Sequence, residues 1–381
     1  MLLSVLLLWT GACSAPDGAG KTSGGGDTVA FRHARLLRAV RCDSFVRVDV
    51  ADAWHRGRTL QTYVLVPRGQ RLPESLPRGV VVRTPLERAV AFSAVHASLA
   101  AHELQAGEKI AGVCDAAYIV GGDLRRRVAD GTWRDFGRSL RPDIEALRAA
   151  GADALLVSPF ENSSHGGLAG AGAAVVECAD YMEPTPLGRA EWMRFYGMLF
   201  GCEARADSLF ADIERRYAAL SRRLGATRRR PRVAADLPAS PDVWYVPGGT
   251  SATGCLLADA AADYAFAGEK TAGGVPVAFE RGLAAVASAN VWLMRYGRTA
   301  DFTAETLAAE HPRLATAATA GCALWACNTL RLPYHERLPF RPDRLLEELA
   351  AILHPELTGL RKPLFFTRLR KAKSEAGERK N

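Results

Sequence analysis

PLGRAEWMRFYGMLFGCEARADSLFADIERRYAALSRRLG, residues Pro186 to Gly225, lies near the middle of the 381-residue chain. Apolar residues recur at Trp192, Phe195, Tyr196, Leu199 and Phe200, then at Leu209, Phe210, Ile213, Tyr217, Leu220 and Leu224. The steps are of three and four residues with one longer gap, the period of a buried stripe on a helix. Read as one helix over 186–225, the stretch would run roughly 60 Å at the helical rise. Such a rod is longer than most single domains are wide. It predicts two lobes held rigidly by one helical connection.

Both flanks read as α/β. Before the helix, two strand-like runs from Phe45 to Pro67 surround a Trp-containing turn and form a hairpin. Strands are then expected at 88–93, 110–114, 152–158 and 173–178, with helices from about 94 to 103 and at 142–150, and a polar loop from Tyr118 to Gly137. After it, strands are expected at 232–236, 243–246, 289–294 and 323–327, with helices at 254–262, 279–287, 304–308 and 341–353. Apolar strands alternating with helices indicate parallel sheets.

Composition is that of a soluble globular protein, 48% hydrophobic and 24% charged. Of the 49 basic residues only seven are Lys, so 42 are Arg, and most are interspersed with acids; the net charge of +8 does not argue for nucleic acid. Met1 to Ala12 is apolar but too short to span a bilayer, and Cys13 is followed by a Gly/Ser-rich tether. The arrangement resembles a bacterial lipoprotein signal, with Cys13 as the lipidated residue and an ordinary cleaved signal as the rival reading. Seven cysteines remain without regular spacing, so no disulfide framework is indicated, although Cys322 and Cys327 could pair.

No catalytic constellation stands out. Gly20-Lys21-Thr22 lacks the first glycine and the preceding strand of a phosphate loop, and Gly249 to Thr253 falls short of a nucleophile elbow. A secreted α/β protein of this kind reads as a binder. Ligands of open parallel sheets sit beyond the carboxyl ends of the strands. Those ends offer Ser93, His96, Phe160, Glu161, Tyr181 and Met182 on the first side, and Trp244, Tyr245, Gly248 and Tyr296 on the second. Aromatic rings beside glycines suit a flat or ring-shaped ligand, and each residue also has a plain reading as core or turn. His96, Tyr181 and Met182 are of types able to ligate haem iron.

The ordered segments RAVAFSAVHASLAAHELQAGEKIAGVCD (88–115), RPDIEALRAAGADALLVSPF (141–160), WYVPGGTSATGCLLADAAADY (244–264) and PVAFERGLAAVASANVWLM (276–294) resemble periplasmic substrate-binding proteins of ABC importers. The subgroup is the one for iron-siderophore, haem and vitamin B12. ECADYMEPTPLGRAEWMRFYGMLFG (177–201) is similar to lipoprotein members from Bacteroidetes-type bacteria. The resemblance covers roughly Val80 to Leu353. It implies two Rossmann-like α/β lobes joined by one long interdomain helix, the class III periplasmic binding protein with a helical backbone, and little hinge opening. It also implies a metal chelate or corrinoid as ligand, permease and ATPase subunits as partners, no catalysis and no resident cofactor or metal. In that family a carboxylate on each lobe docks onto the permease; Glu280 falls on the second-lobe position, and Asp123 is the choice for the first.

The expected division is a signal segment 1–12, Cys13 and a linker to 30, a first lobe 31–185 with the extra hairpin, the helix 186–225, a second lobe 226–365, and a basic disordered tail 366–381. A lipid-anchored, monomeric envelope receptor is the leading reading. An enzyme or metal-cofactor assembly protein on the same bilobed fold, or a surface lipoprotein that acts as an interaction partner, are the alternatives.

Overall fold

The computed structural model describes residues 26–162, 165–240, 242–314, 321–357 and 359–369. The signal segment, Cys13 and the chain beyond residue 369 fall outside these residues. The described chain opens with a five-stranded sheet of β1 (Asp27–Val29), β2 (Leu37–Arg41), β3 (Val46–Ala51), β4 (Thr59–Pro67) and β5 (Val80–Thr84) in that spatial order. The expected hairpin is its β3–β4 pair, and only β4–β5 is parallel. The flexible linker, expected to reach residue 30, gives way at Asp27, where β1 pairs with β2.

The first lobe is a parallel sheet of β6 (Ala89–Ala91), β7 (Ile110–Val113), β8 (Arg134–Asp135), β11 (Ala154–Val157) and β12 (Ala174–Glu177), ordered β12-β11-β6-β7-β8. Its helices are α1 (Ala94–Ser98, continued by a π-helical turn to Glu103), α2 (Gly122–Ala129) and α3 (Ile144–Ala149). A small hairpin of β9 (Gly137–Arg138) and β10 (Arg141–Pro142) precedes α3. The stretch expected as a polar loop therefore holds α2 and β8. Helix α2 buries only Leu124 fully, so its sequence carries no apolar stripe.

The central stretch is two helices, not one: α4 (Pro186–Phe200) and α5 (Glu203–Gly225). Gly201 ends α4 in the left-handed conformation at φ 68°, with its N–H donating to the Gly197 carbonyl. A Cβ there would lie 2.9 Å from the Pro85 Cβ, so glycine is required twice over. Beyond the turn the chain doubles back, and Arg194 of α4 meets Asp207 of α5 at 2.7 Å. The apolar gap between Phe200 and Leu209 is the sequence trace of this break. Helix α4 belongs to the first lobe, with 11 of its 15 residues buried. Helix α5 alone joins the lobes over about 34 Å. Phe210 and Ile213 sit in the first core, and Tyr217 and Leu224 sit in the second.

The second lobe has β13 (Arg232–Ala235), β15 (Asp263–Tyr264), β17 (Val291–Tyr296), β18 (Ala323–Asn328) and β19 (Thr367–Arg368), ordered β15-β13-β17-β18-β19. Only β19 is antiparallel. Strand β14 (Val243–Pro247) leaves this sheet and pairs with β16 (Gly274–Ala278) in a separate antiparallel hairpin. Helices α6 (Ala252–Asp259), α7 (Phe279–Ser288), α8 (Ala304–Glu310), α9 (Tyr334–Arg337) and α10 (Pro342–Leu353) complete the lobe. Two expectations are corrected here. Phe366 is buried and β19 extends the sheet, so the tail is structured through that strand. Cys322 and Cys327 form no disulfide: one immediately precedes β18 and the other stands near its far end, about 16 Å apart at the strand rise and too far to pair.

The opening sheet is tied down by two buried carboxylates. Glu191 of α4 accepts the backbone N–H groups of Arg32, His33 and Ala34 at 2.7–3.0 Å. Glu183 accepts those of Arg35 and Leu36, both at 2.9 Å, and the indole N–H of Trp192. The lobes also meet directly. Glu336 of α9 accepts the N–H groups of Val120 and Gly121 at the start of α2, and Arg341 pairs with Glu103 at 3.2 Å. Replacing Glu191 with Ala would strand three backbone donors, and urea denaturation should show a loss of about 3 kcal/mol or more. Glu214→Ala, which removes only the part-exposed side-chain pairs with Arg32 and His33 and strands no backbone donor, should cost about 1 kcal/mol. Equal losses would mean that the opening sheet is not held through Glu191.

Candidate functional site

The carboxyl ends of the first-lobe strands form a cavity of about 730 Å³, within the range of small-molecule sites. Phe92 follows β6, Val157 ends β11, and Ser158 and Phe160 follow it. Leu140 and Arg141 of the β9–β10 hairpin close one side, and His165 to Leu168 close the other. Phe160 is 56% exposed and Leu140 81%, so two large apolar side chains face solvent at the mouth. His165 is held by Glu177 at 2.8 Å. Nearby on the same end of the sheet, the Tyr181 hydroxyl donates to the Pro159 carbonyl while its ring stays exposed. Glu161 is exposed and Met182 half-buried. Ser93 caps α1, accepting the Val95 N–H at 3.1 Å.

His96 does not face this cavity. It is buried, tilted against the Tyr196 ring at 5.5 Å and near Phe340, and its Nε2 lies 2.8 Å from Asp180. Asp180 is the hub of a buried network, also accepting from the Tyr196 hydroxyl at 2.9 Å and from Arg189 Nε at 3.0 Å. Burial opposes the charged imidazole, but Cys178 and Asp180 outweigh it and push the His96 pKa up to about 10. Its Nδ1 is buried without a hydrogen-bond partner. A ring held by Asp180 and closed off from solvent is not placed to ligate iron.

The second-lobe aromatics divide between core and surface. Trp244 is core, 5.8 Å from the Trp292 ring and 6.1 Å from Phe279. Alternation along β14 turns Tyr245 outward instead, 55% exposed. Gly248 is buried with the Thr271 carbonyl 2.1 Å from where a Cβ would stand, so its lack of a side chain serves backbone packing, not a ligand. Tyr296 is half-buried, packs on Phe302 at 5.2 Å and accepts the Phe302 N–H, beside a 340 Å³ second-lobe cavity. Glu280 is exposed at the start of α7 and pairs with Arg313 at 2.8 Å, which holds its carboxyl below the usual range. Asp123, taken as the first-lobe docking carboxylate, is engaged by His102 and faces Arg337 of the second lobe at 3.8 Å. It belongs to the contact between lobes.

Three further polar residues lie at the junction of the lobes; Arg295 stands at a strand end legible in the sequence, while Arg189 and His335 carry no distinct signal. Arg189 sits one turn inside α4, where the sequence pattern marks only a solvated face. Held by Asp180, it lies 5.9 Å from the Phe340 ring centre and keeps its side chain 24% exposed. Arg295 of β17 makes a two-pronged pair with Asp236 at 2.6 and 2.9 Å, its side chain 29% exposed. His335 of α9 is exposed in the same region. Among the described residues no group of three or more His, Cys, Asp or Glu could hold a metal ion.

Residues 92–320 match the family model described as periplasmic binding protein. The chain belongs to that family of transport-binding proteins, and its two α/β lobes with a single bridging helix are the family's class III architecture. A periplasmic haem-binding protein of Pseudomonas aeruginosa is similar in fold, with a TM-score of 0.58 at 18% identity, covering 75% of this chain and 99% of that one. The molybdate-binding MolA of Haemophilus influenzae gives 0.56 at 18% identity, covering 73% and 89%. An uncharacterized lipoprotein of Methanocaldococcus jannaschii is 23% identical over 249 residues, 64% of this chain. The match spans 58% of that lipoprotein's length.

Two measurements check this placement. Trp244→Ala should lower unfolding free energy by about 3–5 kcal/mol, as expected for emptying an aromatic core site, while Phe160→Ala should leave it nearly unchanged. The raised His96 pKa gives stability that is fully present below its ordinary value of 6.5 and lost as pH rises through about 10. Urea denaturation at pH 7 and pH 10 should therefore show a smaller pH-dependent loss in His96→Gln than in the wild type. An identical loss in both would place the proton elsewhere.

Proposed function

We propose that this protein is the solute receptor of an ABC importer. It captures an iron complex, haem or cobalamin between its lobes and delivers it to a permease driven by an ATPase. The observation that carries the reading is the 730 Å³ cavity at the carboxyl ends of the first-lobe strands, with Phe160 and Leu140 at its mouth, in a chain of the periplasmic binding protein family. Its volume and its mix of apolar walls with Arg141, His165 and Asn162 suit a bulky chelate or macrocycle.

Lipidation at Cys13 would anchor the receptor in the envelope, in keeping with the lipoprotein relative. Exposed Glu280 is a candidate contact for the permease. Charge pairs of this kind steer encounter and fix register more than they add affinity. With α5 as the sole helical bridge and Glu336 and Arg341 already spanning the lobes, closure on ligand should be small.

Absorbance and tryptophan-fluorescence titrations with haem, a ferric siderophore and cyanocobalamin test the reading. One of them should bind saturably, and Phe160→Ala should weaken that binding about tenfold, the equivalent of one lost aromatic contact. Tyr245→Ala, on the β14 hairpin away from the cavity, should leave affinity unchanged. Failure of all three ligands to bind would remove the receptor reading and leave an interaction lipoprotein.

A further inference from the structure

From Arg215 to Ala235 the chain holds eight arginines and no Asp or Glu. The stretch covers the second half of α5, the turn after it and β13. Acids from elsewhere reach only part of it. Asp212 takes Arg215 and Arg216, Asp343 also takes Arg216, and Glu356 takes Arg229 at 2.8 Å. Arg222, Arg228, Arg230 and Arg232 are exposed and make no ion pair among the described residues. Arg230 donates to the Gly225 carbonyl at the end of α5, at 3.3 Å. A helix end carries the equivalent of about half a negative charge, which offsets only a fraction of four unmatched cations.

Helix α5 sets where this patch lies. Just before the helix, the Leu199 carbonyl accepts the Leu86 N–H at 2.8 Å and the Phe200 carbonyl accepts Lys109 Nζ at 2.6 Å. These bonds put the α4–α5 turn at the amino ends of β6 and β7. Beyond the helix, the Arg232 N–H at the start of β13 donates to the Asn290 side chain, and the Ala323 N–H at the start of β18 donates to the Asn290 carbonyl. Asn290 itself immediately precedes β17. Helix α5 therefore runs along the base of both sheets, opposite the cavity at the carboxyl ends of the first-lobe strands. The described chain also begins on this side: Asp27 of β1 pairs with Arg41, whose side chain engages Glu203, the first residue of α5. Cys13 lies 14 residues ahead of Asp27, a length that spans about 50 Å at most.

We propose that the base of the second lobe, centred on Arg222, Arg228, Arg230 and Arg232, docks onto the anionic lipid headgroups of a membrane, with the ligand cavity turned away from it. A concentrated positive field recognises phosphate-bearing headgroups, and each arginine beside such a surface strengthens partitioning about fivefold. Docking at the base is independent of which ligand is carried, and an acyl group on Cys13 would reinforce it. In this posture the cavity faces outward for capture. On the receptor reading, delivery to a permease then requires the base to lift off.

The Cys13→Ser chain, which cannot be acylated, is sedimented with vesicles of phosphatidylglycerol or of phosphatidylcholine. At about 50 mM salt it should favour phosphatidylglycerol on the order of 100-fold. Most of that preference should vanish at about 500 mM, where the screening length falls to about 4 Å. Arg222→Gln, Arg228→Gln and Arg230→Gln together should also remove most of it. The same change at Arg125, Arg126 and Arg138, exposed arginines of the first lobe, alters net charge equally and should leave the preference within about twofold. Titrations of the base variant with haem, a ferric siderophore and cyanocobalamin should match the wild type, so docking and ligand capture are read separately. Equal sedimentation with both kinds of vesicle, or an equal loss in the two triple variants, overturns the docking. So does tighter binding of a DNA duplex than of phosphatidylglycerol, which would make the patch a nucleic-acid surface.

Discussion

Two carboxylates with almost no access to water hold this molecule together. Glu183 and Glu191 accept five backbone N–H groups from residues 32–36, a run of chain that precedes β2. Burial pushes Glu183 up, and its backbone donors pull the other way. Buried carboxylates are tolerable only when hydrogen-bonded this fully. Through them the opening sheet is clamped onto α4, whose aromatic side chains then find a partner on every side: Tyr63 of β4 lies against Phe195, and Trp192 against both Phe195 and Tyr196. Without the sheet, α4 would expose a face that its sequence makes apolar all round.

The same economy governs the junction of the lobes. Three acids from different elements meet three kinds of partner: Glu336 meets peptide N–H groups, Glu103 meets Arg341, and Asp123 meets His102 with Arg337 beyond. The Glu103–Arg341 pair lies beside α5, whose Arg205 donates to the Glu103 carbonyl and whose Arg216 pairs with Asp343 next to Arg341, so polar bonds join the lobes there as well as the helix.

Much of this was legible beforehand. Alternating apolar strands and helices gave the two parallel sheets, and all four first-lobe strands expected from the sequence are present. The readings failed where tertiary contacts decide. Nothing local to the 186–225 stretch announces a reversal except one missing pair of apolar steps, since Gly201 inside a helical pattern is tolerated as easily as it terminates. Trp244 and Tyr245 are adjacent, so which one faces the core depends on the register of β14 with β16, a pairing about thirty residues away. Arg189 and Asp180 are nine residues apart in separate elements, and only folding makes them a pair. Phe160 was legible because a strand end followed by proline and an aromatic leaves the ring little core to enter.

The way α5 is divided between two cores bears on how the chain unfolds. Phe210 and Ile213 are interior to one lobe and Tyr217 and Leu224 to the other, with no loop between them. Fraying of either half would strip packing from its own lobe and propagate along an unbroken hydrogen-bonded helix toward the other. The two lobes are thus thermodynamically coupled through a shared element, and the molecule should melt as one cooperative unit despite having two hydrophobic cores.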